Sequence, residues 1–346
     1  MTASVRSLLT RIQPAGVILF ARNIASPEQA YRLLADCRAC VSTPTFTCVD
    51  LEGGTVDRFR KVLGPTPAAA EVFSTGDRKL FHKHGRIIGD SCRALGFNTD
   101  FAPVLDLAFE ASRRVMRTRA VSADPKQVVA YAREFLAGLH SAGVIGAGKH
   151  FPGLGEADLD THAELPSVTK AFRQMWEQDL LPYRTLRREL LMILVGHANY
   201  PRVTKDRAPA SLSKQWITDV LRKKIGYRGL VVSDDLEMGG VLKDGPIEHA
   251  VAEFVRAGGD LCLICHQEEL VTRGYEALVK ACERDHRFRR RAAESVARVL
   301  AFKRKSAELK RKVPRPAEAV VQKLSRQLWE FGEQVRLETI ERRAGR

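Results

Sequence analysis

The chain has 346 residues, of which 45% are hydrophobic, and this is enough for one large core or two smaller ones. Its longest apolar runs, residues 16–20 and 190–195, are far shorter than the roughly 18 residues that a membrane span needs, and no signal peptide is predicted, so we expect a cytoplasmic protein without membrane insertion. The formal net charge of +15 comes largely from residues 283–346, which contain 19 Lys and Arg and 9 Asp and Glu. We interpret this basic segment as a solvated helix face and expect no nucleic-acid partner, while a weak, unspecific attraction to anionic polymers or membranes stays open.

Short apolar segments alternate with longer amphipathic segments along the chain. The apolar segments predict strands at residues 16–20, 46–51, 100–107, 144–149, 191–197, 230–234 and 260–265. The amphipathic segments predict helices at residues 27–40, 78–95, 125–141, 214–224 and 267–283. Ser26-Pro27 and Asp124-Pro125 are typical of helix starts. This alternation predicts a parallel sheet with helical crossovers.

Ionisable side chains close or follow most of the predicted strands. They are Asp50, Glu52, Asp106, Lys149, His150, His197 and Asp234. A (β/α)8 barrel collects functional residues from many strand ends at one rim, whereas an open sheet concentrates them at one switch point. The sequence therefore predicts an α/β fold of the (β/α)8, TIM-like barrel class. Only seven strands are predicted, so we expect the first strand to be absent from this chain or irregular.

A helical extension is predicted at the C-terminal end, after Pro314 and Pro316. The apolar face of this extension consists of Leu324, Leu328, Phe331 and Val335. About 30 residues cannot bury a core alone, so this segment is not expected to be a second domain. The predicted organisation is a barrel at residues 1–312 and a basic helical extension at residues 313–346.

Residues 149–166 place two histidines, a lysine and four carboxylates among Gly and Pro residues. Asp160 precedes His162 by two positions, a spacing that lets the carboxylate hold one ring nitrogen while the other exchanges a proton. Hydrolysis of an acetal needs such an acid together with a nucleophile or base opposite it. Asp234, which ends a buried strand, is the candidate nucleophile. The Pro and Gly residues at positions 152–155 predict a flexible hinge before the Asp–His pair.

These residues belong to a longer series of motifs. The series comprises residues 16–23 (GVILFARN), 49–54 (VDLEGG) with Val56 and Arg58, 101–106 (FAPVLD), 149–153 (KHFPG), 160–162 (DTH), 195–197 (VGH), 209–213 (PASLS) and 229–238 (GLVVSDDLEM). In this order and combination the sequence resembles the β-N-acetylglucosaminidases of glycoside hydrolase family three, of the single-domain cytoplasmic bacterial type that recycles cell-wall sugars.

The resemblance implies a retaining, two-step hydrolysis of terminal β-linked N-acetylglucosamine from cell-wall fragments. Asp234 would form the glycosyl-enzyme, and His162, oriented by Asp160, would act as acid and then as base. The sugar-binding residues implied by the resemblance are Asp50, Arg58, Arg119, Lys149 and His150. The implied substrate is a small oligosaccharide or muropeptide, and no metal or organic cofactor is implied.

The sequence departs from the family pattern at three places. Leu154 stands where the family has a loop histidine, and Thr55 replaces an arginine. The segment around Arg119, residues 118–121, also differs from the family's motif. These departures affect loop packing and sugar binding, whereas Asp160, His162 and Asp234 are all retained.

Several of these residues have simpler structural interpretations. Asp234 could cap a following helix, because Asp is common at that position. Asp50 could stabilise the adjacent Glu-Gly-Gly turn, and Arg58 could form a surface ion pair. His197, at a strand end, could instead be a core histidine or a histidine that supports the site residues without contacting the substrate.

No metal or haem site is predicted. Residues 262–266 (CLICH) match the spacing of a haem attachment site, but they complete an apolar strand and are interpreted as buried thiols. A metal site formed by His150 and His197 is disfavoured, because Lys149 and Arg119 would repel a cation.

Three hypotheses about function remain open from the sequence. The first is hydrolysis of β-N-acetylglucosaminides. The second is a phosphorylase in which phosphate replaces water, because a histidine acid/base tolerates an incoming anion better than a carboxylate does. The third is a non-catalytic sugar-binding protein. Neither the aglycone preference nor the oligomeric state can be predicted.

Overall fold

The computed structural model of the protein describes residues 1–157, 165–204, 208–243 and 245–344. Each of the seven segments predicted as strands contains or overlaps a strand. The strands are β1 (Gly16–Ile18), β2 (Phe46–Val49), β3 (Leu51–Gly53), β4 (Val56–Asp57), β5 (Thr99–Asp100), β6 (Ile145–Phe151), β7 (Met192–Val195), β8 (Leu230–Asp235) and β9 (Leu261–Leu263). β3 and β4 form an antiparallel hairpin that the sequence did not predict.

All five predicted helical segments are helical. The α-helices are α1 (Ala3–Ile12), α2 (Pro27–Ala39), α3 (Arg60–Leu63), α4 (Ala69–Ser74), α5 (Arg78–Leu95), α6 (Arg113–Met116), α7 (Pro125–Ser141), α8 (Phe172–Glu177), α9 (Leu181–Thr185), α10 (Pro201–Thr204), α11 (Gly239–Leu242), α12 (Ile247–Ala257), α13 (Glu268–Arg284), α14 (His286–Lys305), α15 (Ala307–Lys310) and α16 (Glu318–Ala344). Residues 215–224 are π-helical, and residues 21–23 and 210–212 form short 3-10 helices. Among the described residues, none of these helices has both the length and the apolar composition for crossing a bilayer.

The predicted helix starts are confirmed at α2 and α7. The Ser26 side chain accepts a hydrogen bond from the backbone N–H of Gln29, and Pro27 is the first helical residue. Asp124 accepts a bond from the N–H of Lys126 in the same way. Each side chain thereby satisfies a backbone donor that the helix itself leaves unpaired.

The described chain divides into two compact units. The first consists of residues 1–104, 118–147 and 306–346. In this unit the parallel strands follow the order β1-β2-β5-β6. Against them α5 and α7 pack closely together, because Gly85 has no side chain: a Cβ there would lie 1.9 Å from the carbonyl oxygen of Phe135.

The C-terminal helix α16 belongs to the first unit. Its predicted apolar face is buried at all four positions, Leu324, Leu328, Phe331 and Val335. The ring of Phe331 lies 5.8 Å from the ring of His84 on α5. The opposite face of α16 is exposed, and Trp329 retains 67% of its accessible surface.

The second unit consists of residues 105–117 and 148–305. It contains the last residues of β6, followed in the sheet by β7, β8 and β9. β7 and β8 are parallel, with Val195 opposite Ser233, and all residues of β7 are buried. Because β6, β7 and β8 run in the same direction, their carboxyl ends lie at one edge of the sheet and present Lys149 and Asp234 there.

Candidate active site

Asp234 lies at the carboxyl end of β8 in a half-buried position. Its Oδ1 accepts the backbone N–H of Asp235 at 2.9 Å. Burial alone would raise the pKa of Asp234. The neighbouring His150 and His197, together with this hydrogen bond and Lys149, outweigh burial and lower the pKa below its ordinary value of 3.8. Asp234 is therefore ionised at neutral pH, which is the state that a nucleophilic carboxylate requires.

Asp234 does not cap the next helix. α11 begins at Gly239, and Met238 occupies its N-cap position without a side-chain hydrogen bond. The capping interpretation of Asp234 is therefore wrong.

His150, near the end of β6, is held by Asp106. Its Nδ1 and the Oδ2 of Asp106 are 2.6 Å apart, and its backbone N–H donates to the same oxygen at 3.2 Å. The other carboxylate oxygen, Oδ1, accepts the backbone N–H of Leu154 at 2.7 Å. From the sequence, Asp106 is a carboxylate near a strand end with no predicted role.

Residues 152–155, predicted as a flexible hinge, are buried, and the segment is hydrogen-bonded. The backbone N–H of Gly153 donates to the carbonyl of His150 at 2.8 Å, and the Tyr200 hydroxyl donates to the carbonyl of Gly153 at 2.8 Å. The Leu154 side chain is only 4% exposed. The apolar residue at this position therefore fills the interior, and its bond to Asp106 comes from the backbone and does not depend on the side chain.

His197 follows β7 and is fully buried. Its Nε2 lies 3.0 Å from the carbonyl oxygen of Asp235, and its Nδ1 lies 2.7 Å from the Ser211 hydroxyl. A carbonyl only accepts, so Nε2 carries the proton and Nδ1 accepts from Ser211. Burial lowers the pKa of His197, although the charge of Asp234 opposes this. The predicted supporting position fits this geometry, and the role itself stays a prediction.

Asp235 and Glu237 organise the residues that follow β9. Oδ2 of Asp235 lies 3.2 Å from Nε2 of His266, and burial, reinforced by the charge of Glu237, raises the pKa of Asp235 to about 6. The carboxylate of Glu237 accepts the backbone N–H groups of Cys265 at 2.6 Å and Gln267 at 3.0 Å, and that of His266 as well. In the sequence, the signal for this cluster is the run of carboxylates at the end of β8 and directly after it, Asp234, Asp235 and Glu237.

Arg119 is paired with Glu52 in the first unit. Nε and Nη2 of Arg119 lie 2.7 and 2.8 Å from the two carboxylate oxygens of Glu52. The side chains are only 18% and 3% exposed. Such a two-pronged pair fixes the plane of the guanidinium. The sequence identifies Glu52 as an ionisable residue at a strand end but predicts no partner for it.

Asp50 and Arg58 also lie in the first unit. Asp50 is half-buried between β2 and β3. Arg58 follows β4, and its guanidinium carbon lies 5.6 Å from the centre of the Phe20 ring. Within the described part of the chain Arg58 forms no ion pair, so its interpretation as one half of a surface ion pair is not supported.

Two of the predicted catalytic residues, Asp160 and His162, lie outside the described residues. Among the described residues of the second unit, Lys149, His150 and His197 all lie close enough to Asp234 to lower its pKa. In the described ranges, no group of three or more His, Cys, Asp or Glu side chains is arranged to hold a metal ion.

Comparison with known proteins identifies the family. Residues 1–302 match the family described as "Glycosyl hydrolase family 3 N terminal domain". A β-hexosaminidase from Alkalilimnicola ehrlichii is 37% identical over 278 residues, which is 78% of this chain and 79% of that protein. A β-hexosaminidase from Stenotrophomonas maltophilia is 35% identical over 275 residues, covering 78% of this chain and 81% of the relative.

Solved structures agree with the sequence relatives. A glycoside hydrolase family 3 β-N-acetylglucosaminidase from Paenibacillus has a TM-score of 0.87 at 30% identity; the match covers 95% of this chain and 65% of that one. NagZ from Neisseria gonorrhoeae, solved with N-trifluoroacetyl-D-glucosamine, has a TM-score of 0.72 at 27% identity, over 86% of this chain and 95% of NagZ. The predicted TIM-like α/β class is thereby confirmed. The chain belongs to glycosyl hydrolase family 3, as a glycosidase of the β-hexosaminidase type.

Proposed function

We propose that this protein is a retaining exo-β-N-acetylglucosaminidase that releases terminal N-acetylglucosamine from cell-wall fragments. The observation that carries the proposal is the environment of Asp234. Its carboxylate is kept ionised next to His150, His197 and Lys149 at the carboxyl end of a rigid, buried strand. An ionised carboxylate in a fixed position is suited to attack an anomeric carbon.

In the first step, Asp234 attacks the anomeric carbon and forms an ester bond to the sugar while the glycosidic C–O bond breaks. The leaving oxygen takes a proton from His162, which Asp160 orients. In the second step, His162 removes a proton from water, the water oxygen attacks the same carbon, and Asp234 leaves as a carboxylate. The assignment of Asp160 and His162 rests on the Asp-Thr-His motif and on the family resemblance.

Five residues are proposed to bind the sugar. They are Asp50, Arg58, Arg119, Lys149 and His150. Two of these are supported by how they are held: Glu52 fixes the guanidinium of Arg119, and Asp106 fixes the imidazole of His150. Donors that are already fixed suit a polyhydroxylated ring, because little side-chain freedom is lost when they form hydrogen bonds to it.

The proposal is tested with an aryl β-N-acetylglucosaminide, with and without phosphate. The wild-type protein should release the phenol and free N-acetylglucosamine, whereas Asp234→Ala should not. Azide should restore turnover to Asp234→Ala, because it can replace the missing nucleophile. Asp219→Ala is the matched control, since Asp219 is 41% exposed and pairs with Lys214 and Lys223 on the surface.

The products separate the remaining hypotheses. A glycosyl phosphate formed in the presence of phosphate would favour the phosphorylase, and absence of turnover would favour a sugar-binding protein. Equal turnover by Asp234→Ala would reject Asp234 as the nucleophile. Release of N-acetylglucosamine from a disaccharide that ends in N-acetylmuramic acid, compared with chitobiose, tests the cell-wall substrate.

A further inference from the structure

Asp106 is an almost fully buried carboxylate whose two oxygens are both occupied. It is 1% exposed, and no role follows for it from the proposed reaction steps. Oδ2 receives the side chain and the backbone N–H of His150, and Oδ1 receives the backbone N–H of Leu154. Burying a carboxylate costs free energy of desolvation unless hydrogen bonds compensate for it. Here the compensating bonds come from His150 and Leu154, so the role of Asp106 is to be sought in these two residues.

We propose that Asp106 is a positioning residue that fixes the imidazole of His150 next to Asp234 and the bound sugar. This inference rests on the proposed function, because it concerns the same site. Asp106 itself contacts neither the sugar nor the reacting carbon in this proposal; it acts through His150.

The first argument is geometric. An ionised carboxylate only accepts hydrogen bonds, so the 2.6 Å contact assigns a proton to Nδ1 of His150. The contact between sugar and ring is therefore left to Nε2. The backbone N–H groups of His150 and Leu154 hold the carboxylate from both sides, so Asp106 cannot rotate without breaking several bonds. The ring of His150 cannot turn without breaking its bond to Oδ2 of Asp106.

The second argument is electrostatic. His150, together with His197 and Lys149, lowers the pKa of Asp234. Because Asp106 holds the ring of His150 in its position, the buried carboxylate helps to keep the nucleophile ionised.

The competing interpretation is structural: Asp106 would only tie the backbone of Leu154 to β6. A double-mutant cycle separates the two. Asp106→Asn should lower kcat/KM about 100-fold, the cost of a displaced catalytic-site group. It should also move the acid limb of the pH profile to higher pH, because a displaced His150 no longer lowers the pKa of Asp234 to the same extent. In a His150→Gln background the same change should lower kcat/KM by no more than about twofold.

Asp106→Glu keeps the charge and should keep the acid limb near its wild-type position. If Asp106→Asn lowers activity equally with and without His150, or leaves the acid limb unmoved, the inference is wrong. Melting temperatures of all variants show how much of any loss comes from unfolding.

A measurement without substrate keeps the inference separate from the proposed function. The ligand-free protein should show a low-field imidazole N–H resonance that disappears in His150→Gln and moves upfield in Asp106→Asn. A wild-type protein that shows this resonance but hydrolyses no aryl glycoside would reject the proposed function while leaving the Asp106–His150 bond established. An unchanged resonance in Asp106→Asn would overturn the inference.

Discussion

Arg119 and Glu52 form a two-pronged ion pair that is largely shielded from water. Both contacts are below 2.9 Å, and Glu52 is only 3% exposed. The guanidinium that is proposed to bind the sugar is therefore already oriented by the protein. Binding then costs less side-chain entropy than it would for a freely rotating arginine.

We expect Glu52→Gln to weaken substrate binding without removing catalysis. The neutral amide cannot accept two charge-assisted bonds, so Arg119 should lose its fixed orientation. KM for the aryl glycoside should rise about tenfold, the equivalent of ~1.4 kcal/mol, with a smaller change in kcat. Steady-state kinetics measures both. Glu333→Gln, which removes half of an exposed pair with Arg336, is the control and should change neither constant.

Lys149→Met should move the acid limb of the activity profile to higher pH. The positive charge of Lys149 contributes to the lowered pKa of Asp234. Since the nucleophile must be ionised, a higher pKa means that activity is lost at a higher pH on acidification. A pH series of kcat/KM measures the shift. Lys223→Met, at an exposed position, is the control, and an unmoved limb in Lys149→Met would contradict the electrostatic argument.

The buried His84 should make the protein sensitive to acid. Burial lowers the pKa of His84 from 6.5 to about 3, so only the unfolded chain binds a proton between these values. As the pH is lowered from 6.5 towards about 3, this residue should lower the free energy of unfolding by about 1.4 kcal/mol per pH unit. Urea titrations should give a shallower dependence for His84→Gln. His249→Gln, at an exposed position, is the control.

Helix α16 should contribute strongly to the stability of the first unit. Phe331 is fully buried, and Phe331→Ala should lower the free energy of unfolding by about 3–5 kcal/mol because it leaves a cavity. Trp329, on the same helix, is 67% exposed, and Trp329→Ala should change the free energy of unfolding by less than about 0.5 kcal/mol. Equal effects would contradict the assignment of the buried face.

The elements that the sequence predicted well depend on local patterns. Ser26-Pro27 and Asp124-Pro125 marked helix starts because capping involves neighbours in the chain. The apolar spacing of α16 likewise identified its buried face.

The relationships that the sequence did not predict join distant positions. Glu52 and Arg119 are 67 residues apart, and Asp106 and His150 are 44 residues apart. Nothing in the local sequence of either carboxylate indicates its partner, because the pairing follows from the packing of separate elements. The hinge predicted from Pro152, Gly153 and Gly155 stays a prediction. The burial of that segment and its hydrogen bond from Tyr200 come from distant groups, which the local sequence does not indicate.

The central claim is that Asp234 forms a covalent bond to the sugar. Incubation with a 5-fluoro derivative of N-acetylglucosaminyl fluoride should trap this intermediate, because the fluorine slows its hydrolysis more than its formation. Mass spectrometry of the digested protein should then place one added sugar on Asp234, and Asp234→Ala should carry none. A sugar attached to another residue, or continued turnover of the trapping reagent without any adduct, would contradict the account.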